Sequence, residues 1–186
     1  MQHSDNRSGG WRWCRALPLL AALGLGAVVM GGFVTLVEAT NRTEFCISCH
    51  SMQQNHAEYR QSPHYLNRSG AHAQCADCHV PKELGAKLVR KVMAVNDVVA
   101  EVRGVLDTEE KRAARRPILA ERVWAYMGAS QSRECRSCHS FESMDPARQG
   151  TAARLKHAAA AQAGQTCIDC HRGVAHKLPA ASKDDL

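Results

Sequence analysis

The residues with the clearest chemistry are four copies of Cys-x-x-Cys-His. They are Cys46–Cys49–His50, Cys75–Cys78–His79, Cys135–Cys138–His139 and Cys167–Cys170–His171, which use eight of the nine cysteines. This spacing is the attachment site of c-type haem: the two thiols form thioether bonds to the porphyrin, and the adjacent histidine ligates the iron. The sequence therefore predicts four covalently bound haems, with His50, His79, His139 and His171 as iron ligands.

Other uses of paired cysteines explain the pattern less well. A structural zinc site combines two Cys-x-x-Cys pairs but gives no reason for a histidine after every second cysteine. A disulfide across two intervening residues closes a strained loop and also leaves the histidine unexplained. A thioredoxin-type redox motif occurs once, near a βαβ pattern, and not four times.

Composition agrees with a chain folded around cofactors. Aromatic residues make up only 5% of the 186 residues, and little strand pattern is visible. We therefore expect a mostly α fold of short helices and loops packed on haem. The formal net charge is +6, but eight haem propionates would offset a basic excess, so nucleic-acid binding is not predicted.

An uncharged apolar segment lies near the N-terminus, at residues 16–37. About 20 such residues cross a bilayer core, and Arg7, Arg12 and Arg15 before the segment favour a cytoplasmic N-terminus. A cleaved signal peptide is the alternative, but the segment exceeds a typical apolar signal region and lacks a clear cleavage site. We expect a retained single-pass anchor in a bacterial inner membrane, with the remaining chain in the periplasm.

Small residues recur four apart in this segment, at Ala22 and Gly26 and at Ala27 and Gly31. Such spacings permit close helix packing and hence a homodimer through the membrane helix. Cys14, the unpaired cysteine, lies on the cytoplasmic flank and is interpreted as incidental.

The motifs fall into two pairs with a long middle, which suggests a duplicated dihaem unit. Within each pair another histidine precedes the second motif, His64 before Cys75 and His157 before Cys167. His64 and His157 are therefore candidates for the distal iron ligands, and His176 is a third. His3 lies on the cytoplasmic side of the anchor, and His56 and His72 have no counterpart in the repeat, so these three are not assigned.

The first motif is followed by Met52, and methionine is also a haem iron ligand. Both His50 and Met52 reach from the same side, so either could bind the first iron. A packing role for Met52 is the simpler alternative.

The middle of the chain predicts two helices. Residues 82–106 place apolar side chains at helical spacing, with basic residues between them. This amphipathic face could lie on a membrane surface or cover the haems. A second helix is predicted to start at Pro117.

These features divide the chain into six parts. They are a cytoplasmic N-terminus (1–15), the anchor (16–37), dihaem unit 1 (38–80), a helical connector (81–134), dihaem unit 2 (135–179) and a tail (180–186).

Several stretches resemble the NapC/NirT family of membrane-anchored tetrahaem quinol dehydrogenases, and most closely its NapC branch. They are ATNRTEFCISCHSM, CADCHVPKELGAKLVRKV, ERVWAYM, SRECRSCHSFESM, ESMDPARQG and GQTCIDCHRGVAHKLP. The resemblance implies Met52 at the first haem, Asp97 near that iron and Lys91 in a quinol pocket. It also implies His64, His157 and His176 as distal ligands. Lys91 and Asp97 do not share a face of an ideal helix, whereas Arg90 and Asp97 do, so either the helix bends or Arg90 is the nearer partner.

The resemblance implies oxidation of ubiquinol or menaquinol, with Asp97 taking a proton and Lys91 binding a quinol oxygen. Electrons would pass to a periplasmic reductase, foremost periplasmic nitrate reductase through its small dihaem subunit. Three alternatives stay open: a relay without a quinol site, a quinol dehydrogenase that serves a nitrite reductase, and a terminal reductase acting on nitrite or hydroxylamine.

Overall fold

A computed structural model describes residues 8–179, and the predicted tail and the first seven residues lie outside that range. The described chain is helical and contains no β-strand, which confirms the predicted fold class. The helices are α1 (Ser8–Ala39), α2 (Thr43–Cys46), α3 (Met52–Tyr59), α4 (Cys75–His79), α5 (Leu84–Val102), α6 (Glu109–Ala129), α7 (Arg133–Arg136), α8 (Thr151–Gln162) and α9 (Cys167–Cys170). The chain forms two compact units, divided between Asn41 and Arg42.

The first unit is built on α1. Its Ala16–Ala39 section has a mean hydropathy of 2.2 and is long enough to cross a membrane. Large apolar side chains such as Leu17, Val28 and Leu36 are exposed along it. A helix this apolar and this uncovered suits a lipid environment, and it agrees with the predicted anchor in both length and position.

In the second unit, the attachment cysteines lie in or beside short helices whose ends are fixed by local side chains. In α4 and α9 the second of the two residues between the cysteines is an aspartate that caps its own helix. Asp77 Oδ2 accepts the Gln74 N–H at 2.7 Å, and Asp169 Oδ2 accepts the Thr166 N–H at 2.7 Å. The capping box thus places the N-cap one residue before the first cysteine, so that each helix starts at that cysteine.

The first and third motifs share a different local feature. Ser48 Oγ donates to Phe45 O at 2.7 Å, and Ser137 Oγ donates to Glu134 O at 2.7 Å. The serine bond thus occurs in the first and third motifs and the aspartate cap in the second and fourth. This alternation has the same order as the two motif pairs indicated by the spacing.

Helix α5 leaves its apolar side chains uncovered. Val92 is 72% exposed and Val102 is 83% exposed, and Leu84, Val95 and Val99 are exposed as well. Polar and small side chains such as Lys87, Arg90 and Ala94 are partly covered instead. Within the described chain, therefore, no protein segment covers the apolar face of α5.

Helix α6 begins earlier than predicted, so the start at Pro117 was wrong. Thr108 caps the helix by accepting the Lys111 N–H at 3.3 Å, and Glu109 and Glu110 occupy the first turn. Acidic residues and a capping threonine stabilise a helix N-terminus through unpaired N–H groups and the helix dipole. Pro117 lies inside α6, where its preference for a first turn is outweighed by the earlier cap.

Few apolar side chains are buried in the second unit. Among its described residues these are Tyr59, Pro81, Met127 and Ile168. A core this small is far below what a domain of this size normally builds, which agrees with a chain whose apolar partners are cofactors.

Candidate haem sites

The four attachment motifs follow one another in space in the same order as in the sequence. Helix α2 packs against α4, and α4 packs against α7. Thr43 Oγ1 donates to Gln74 Oε1 at 2.7 Å and joins the first motif to the second. The thiols of Cys46 and Cys75 are hydrogen-bonded to each other, which raises the pKa of Cys46 and lowers that of Cys75 to about 6.

The succession continues through the third and fourth motifs. Burial first, and then the neighbouring Cys135, raise the pKa of Cys78 to about 11. Burial and the nearby Cys167 likewise raise the pKa of Cys135. The contact between α4 and α7 places the second motif beside the third, and the hydrogen bond from the Ile168 N–H to Ser132 Oγ joins the fourth motif to the residues just before the third.

A strained turn fixes the distance between the third and fourth motifs. Gln131 and Ser132 both adopt left-handed backbone, with φ of 56° and 50°. Ser132 is fully buried, and its Oγ accepts the N–H of Ile168 at 3.1 Å. Left-handed backbone at two successive non-glycine residues costs about 1 kcal/mol or more each, so this hydrogen bond and the packing around it must hold the turn.

Each predicted distal histidine faces a motif histidine. The ring centroids of His79 and His176 are 6.2 Å apart, those of His64 and His139 are 6.2 Å apart, and those of His157 and His171 are 5.8 Å apart. A metal–imidazole bond is about 2 Å long, so two imidazoles on opposite sides of one ion have centroids about 6 Å apart. The three pairs therefore fit three six-coordinate haem irons.

The outer nitrogens of the distal histidines support the same arrangement. His176 Nδ1 donates to Asn55 O at 3.1 Å, His157 Nδ1 to Gln149 Oε1 at 2.8 Å, and His64 Nδ1 to Val174 O at 3.4 Å. A proton on Nδ1 leaves Nε2 with its lone pair, and such partners orient metal-binding imidazoles. In the third pair the Nε2 atoms of His157 and His171 are 3.5 Å apart.

Burial favours the metal-binding form of His79. Desolvation, followed by the nearby His176, lowers the pKa of His79 to about 4. Burial also lowers the pKa of His176, although its bond to Asn55 O and the charge of Glu58 oppose this shift. Both imidazoles are therefore neutral at pH 7, the form that binds iron.

The pairing differs from a simple duplication. His157 faces His171 of the motif that follows it, but His64 faces His139 of the third motif, and His176 faces His79 of the second. Two of the three facing pairs thus join a histidine of one sequence pair to a histidine of the other. The repeat indicated which histidines to consider, and the folded chain sets their partners.

The first motif is arranged differently from the other three. Within the described part of the chain, His50 has no opposing imidazole at such a distance. Met52 begins α3, and its N–H donates to Cys49 O at 3.1 Å, so its side chain starts within one turn of the attachment site. The two candidate ligands of the first iron are therefore His50, which belongs to the first motif, and Met52, which follows it by two residues.

Glu101 of α5 contacts this motif and was not identified from the sequence. Its Oε1 accepts the Ser51 N–H at 3.3 Å. The Ser51 side chain, followed by the Ser51 N–H and the backbone and charge of His50, lowers the pKa of Glu101 against a smaller opposing effect of burial. The sequence could have indicated Glu101, because it lies four residues after Asp97 and therefore on the same face of the helix.

The two residues expected in a quinol pocket lie on α5. Lys91 lies close enough to Cys46 for its charge to oppose the rise in that thiol's pKa, which is caused chiefly by Cys75. The Asp97 side chain is 69% exposed, and its Oδ2 is 3.7 Å from Arg90 Nη1. Of the two possibilities raised by the sequence, Arg90 is the ion-pair partner of Asp97.

The histidines left unassigned have other contacts. The ring of His72 stacks on Tyr65, with centroids 4.4 Å apart, and the ring of His56 lies 6.4 Å from that of Tyr59. His3 lies outside the described residues, and Cys14 lies in α1. Neither His56 nor His72 faces a motif histidine.

Four successive attachment motifs and three opposed histidine pairs define a multihaem c-type cytochrome. Comparison with known proteins agrees. The profile of the NapC/NirT cytochrome c family, N-terminal region, matches residues 11–181. This chain therefore belongs to the NapC/NirT family, whose members are membrane-anchored tetrahaem cytochromes of electron transport.

Individual relatives match over most of their length. A tetraheme cytochrome-c type protein of Allochromatium vinosum is 53% identical, with 87% of this chain and 91% of the relative covered. The cytochrome c-type protein NapC of Escherichia coli K12 is 45% identical, with 96% of both covered. The denitrification component NirT of Stutzerimonas stutzeri is 49% identical, with 87% and 81% covered.

One solved structure has a related fold. It is the cytochrome c nitrite reductase NrfHA complex bound to the inhibitor HQNO, with a TM-score of 0.50 and 27% identity. The match covers 86% of this chain and 90% of that chain.

Proposed function

We propose that this chain is a quinol dehydrogenase of the bacterial inner membrane. The observation that carries the proposal is the difference between the first motif and the other three. Three motif histidines face a second imidazole, whereas His50, within the described residues, does not. An electron relay needs no such exception, but an enzyme that oxidises a substrate beside one haem does.

The proposed iron ligands follow from the pairs. His79 and His176 would bind the second haem, His139 and His64 the third, and His171 and His157 the fourth. His50 or Met52 would bind the first. Each haem, once bound, accepts and passes on a single electron.

The side chains beside the first motif suit quinol oxidation. Lys91, which lies near Cys46, would hold a quinol oxygen by donating a hydrogen bond. Asp97 would accept the proton that leaves with each electron, because an exposed carboxylate can pass a proton on to water. Arg90 would orient that carboxylate, and at this exposure the ion pair contributes little to stability.

The apolar face of α5 gives a route for a lipid-soluble substrate. Val92, Val95 and Val99 are exposed on the helix that carries Asp97. Of the two roles considered for this face, contact with the membrane surface is the one that would bring Asp97 within reach of a lipid-soluble quinol. We propose that α5 lies on the periplasmic side of the bilayer, with Arg12 and Arg15 of α1 at the cytoplasmic side.

The order of the motifs gives the electrons a path. Electrons would enter at the first motif, pass the second and third, and leave at the fourth, because the motifs are neighbours in that order. The acceptor would be periplasmic nitrate reductase through its small dihaem subunit, supported by 45% identity to NapC over nearly the whole chain. A nitrite reductase is the second candidate, supported by the NrfHA structure at 27% identity.

A matched pair of variants tests the chemistry. Asp97→Asn should retain four haems and the three histidine pairs but oxidise quinol at least about tenfold more slowly, as expected on losing a proton acceptor. Asp107→Asn is the control, since Asp107 is also an exposed, ion-paired carboxylate, 2.8 Å from Lys111. Equal rates for Asp97→Asn and wild type would remove Asp97 from the mechanism.

A further inference from the structure

Residues 172–179, here termed the C-terminal strap, carry one distal histidine and hold another. The strap turns at Gly173, which has φ of +79°, and a Cβ there would lie 3.0 Å from Leu178 Cγ. His176 of the strap faces His79, while Val174 O accepts a hydrogen bond from His64, which faces His139. One segment thus contacts the proposed ligands of two irons.

Two side chains from other helices hold the strap at Lys177. Arg116 of α6 donates to both carboxylate oxygens of Glu58 in α3, from Nη1 at 2.8 Å and from Nη2 at 2.5 Å. Arg116 Nη2 also donates to Lys177 O at 2.6 Å, and the Lys177 N–H donates to Glu58 Oε2 at 2.9 Å. Both backbone polar groups of the residue after His176 are therefore bound by this ion pair.

The Glu58–Arg116 pair is largely buried, and it joins α3 to α6 through two hydrogen bonds. The Glu58 side chain is 9% exposed and the Arg116 side chain 23% exposed. Burial alone would raise the pKa of Glu58, but the hydrogen bonds from Arg116 and Lys177 outweigh it, and the pKa is lowered. A two-pronged, largely buried arginine–carboxylate contact fixes geometry in a way that solvated pairs do not.

The same turn of α3 also orients the histidine. Asn55, one helical turn before Glu58, supplies the carbonyl that accepts the Nδ1–H of His176 at 3.1 Å. Helix α3 therefore fixes both the ring of His176 and the backbone that follows it.

We propose that Glu58 and Arg116 are positioning residues that hold His176 on the second haem and, through Val174, His64 on the third. This inference rests on the histidine pairing proposed above. It gives the C-terminal strap a role in two haems whose attachment motifs lie far from it in the sequence. The fourth haem serves as the internal reference, because the hydrogen bonds of Glu58 and Arg116 reach Lys177 and not His157 or His171.

The test uses the full-length, haem-loaded protein with Glu58→Gln and Arg116→Lys. Both variants keep a polar side chain but lose the charge or the two-pronged geometry. The control is Lys111→Gln, which removes an exposed ion pair with Asp107. Electron paramagnetic resonance of the oxidised protein and hydrogen exchange of the Lys177 amide are the readouts.

We expect the Lys177 amide to exchange about tenfold faster in Glu58→Gln, the loss of one charge-assisted hydrogen bond. The low-spin signals of two haems should broaden or become partly high-spin, while the signal of the fourth haem and all signals of Lys111→Gln stay unchanged. Faster exchange with four unchanged haem signals would overturn the proposal, because the strap would then be held without affecting the ligands. If Glu58→Gln does not take up four haems, the same two measurements on Arg116→Lys, with the same expected and contradicting results, test the proposal.

His176→Met separates this inference from the pairing itself. If the histidine pairing is right but Glu58 and Arg116 do not position His176, His176→Met alters one low-spin signal and Glu58→Gln alters none. If the pairing is wrong, His176→Met leaves the low-spin signals unchanged.

Discussion

His157 and His171 face each other with their Nε2 atoms 3.5 Å apart and their ring centroids 5.8 Å apart. His157 is carried by α8 and His171 by the fourth attachment motif, directly after α9. Gln149 Oε1 accepts the Nδ1–H of His157 at 2.8 Å, so the lone pair of Nε2 points toward its partner. This pair is the clearest single indication of how the chain holds an iron.

Replacing His157 with methionine tests that relationship. Four haems should remain, since the thioether bonds are untouched, but one reduction potential should rise by on the order of 100 mV because methionine favours the reduced iron. A redox titration followed by haem absorbance measures this shift. His72→Gln is the control, because His72 stacks on Tyr65 and faces no motif histidine. Four unchanged potentials in His157→Met would contradict the assignment.

Glu101 is expected to tune the first haem site. Glu101→Ala removes the acceptor of the Ser51 N–H and should reduce quinol oxidation about tenfold, as losses of such supporting contacts commonly do. The three histidine-paired haems should keep their potentials. Glu109→Ala, in the exposed first turn of α6, provides a matched control. An equal loss of quinol oxidation in Glu101→Ala and Glu109→Ala would contradict a specific role for Glu101, because it would follow from the loss of any negative charge.

The buried hydroxyl of Ser132 should stabilise the fold. Ser132→Ala leaves the Ile168 N–H without its partner and should lower the free energy of unfolding by about 1–3 kcal/mol. Ser132→Gly loses the same hydrogen bond but relieves the left-handed backbone, so it should destabilise the protein less than alanine. Denaturant unfolding followed by haem absorbance distinguishes the two. A larger loss for glycine than for alanine would show that the turn is not strained.

Asp169 should make stability depend on pH. Hydrogen bonds from the Thr166 N–H and hydroxyl lower the pKa of Asp169 in the folded chain. A group with a lowered folded pKa stabilises the fold above its unfolded pKa, about 4, and loses that contribution as the pH falls through the folded value. Wild type should therefore exceed Asp169→Asn in stability at pH 7, and the difference should vanish at low pH. A difference that stays constant from pH 7 to pH 3 would argue against this role.

The sequence predicted the features that depend on nearby residues. The attachment motifs, the apolar segment and the candidate distal histidines are local patterns, and the described helices agree with the predicted fold class. The predicted start of α6 was wrong because proline favours the first turn of a helix, which pointed to Pro117. The helix instead begins after Thr108, which caps it, with two acidic residues in the first turn. Two local signals competed there, and the cap prevailed.

The pairing of the histidines could not be predicted from spacing. His64 faces His139, and it is bonded to the C-terminal strap, which folds back onto α3. The bond from Glu101 to the first motif likewise depends on how α5 packs. These relationships join residues far apart in the chain, and a periodic pattern carries no information about such contacts.

The most direct measurement is rapid mixing of the oxidised, detergent-purified protein with a reduced quinol, followed by haem absorbance. The proposal predicts fast haem reduction that HQNO, the inhibitor in the related crystal structure, blocks. Asp97→Asn should slow the same phase while dithionite still reduces all four haems. Full reduction by dithionite with none by quinol would contradict the proposal and leave the chain an electron relay.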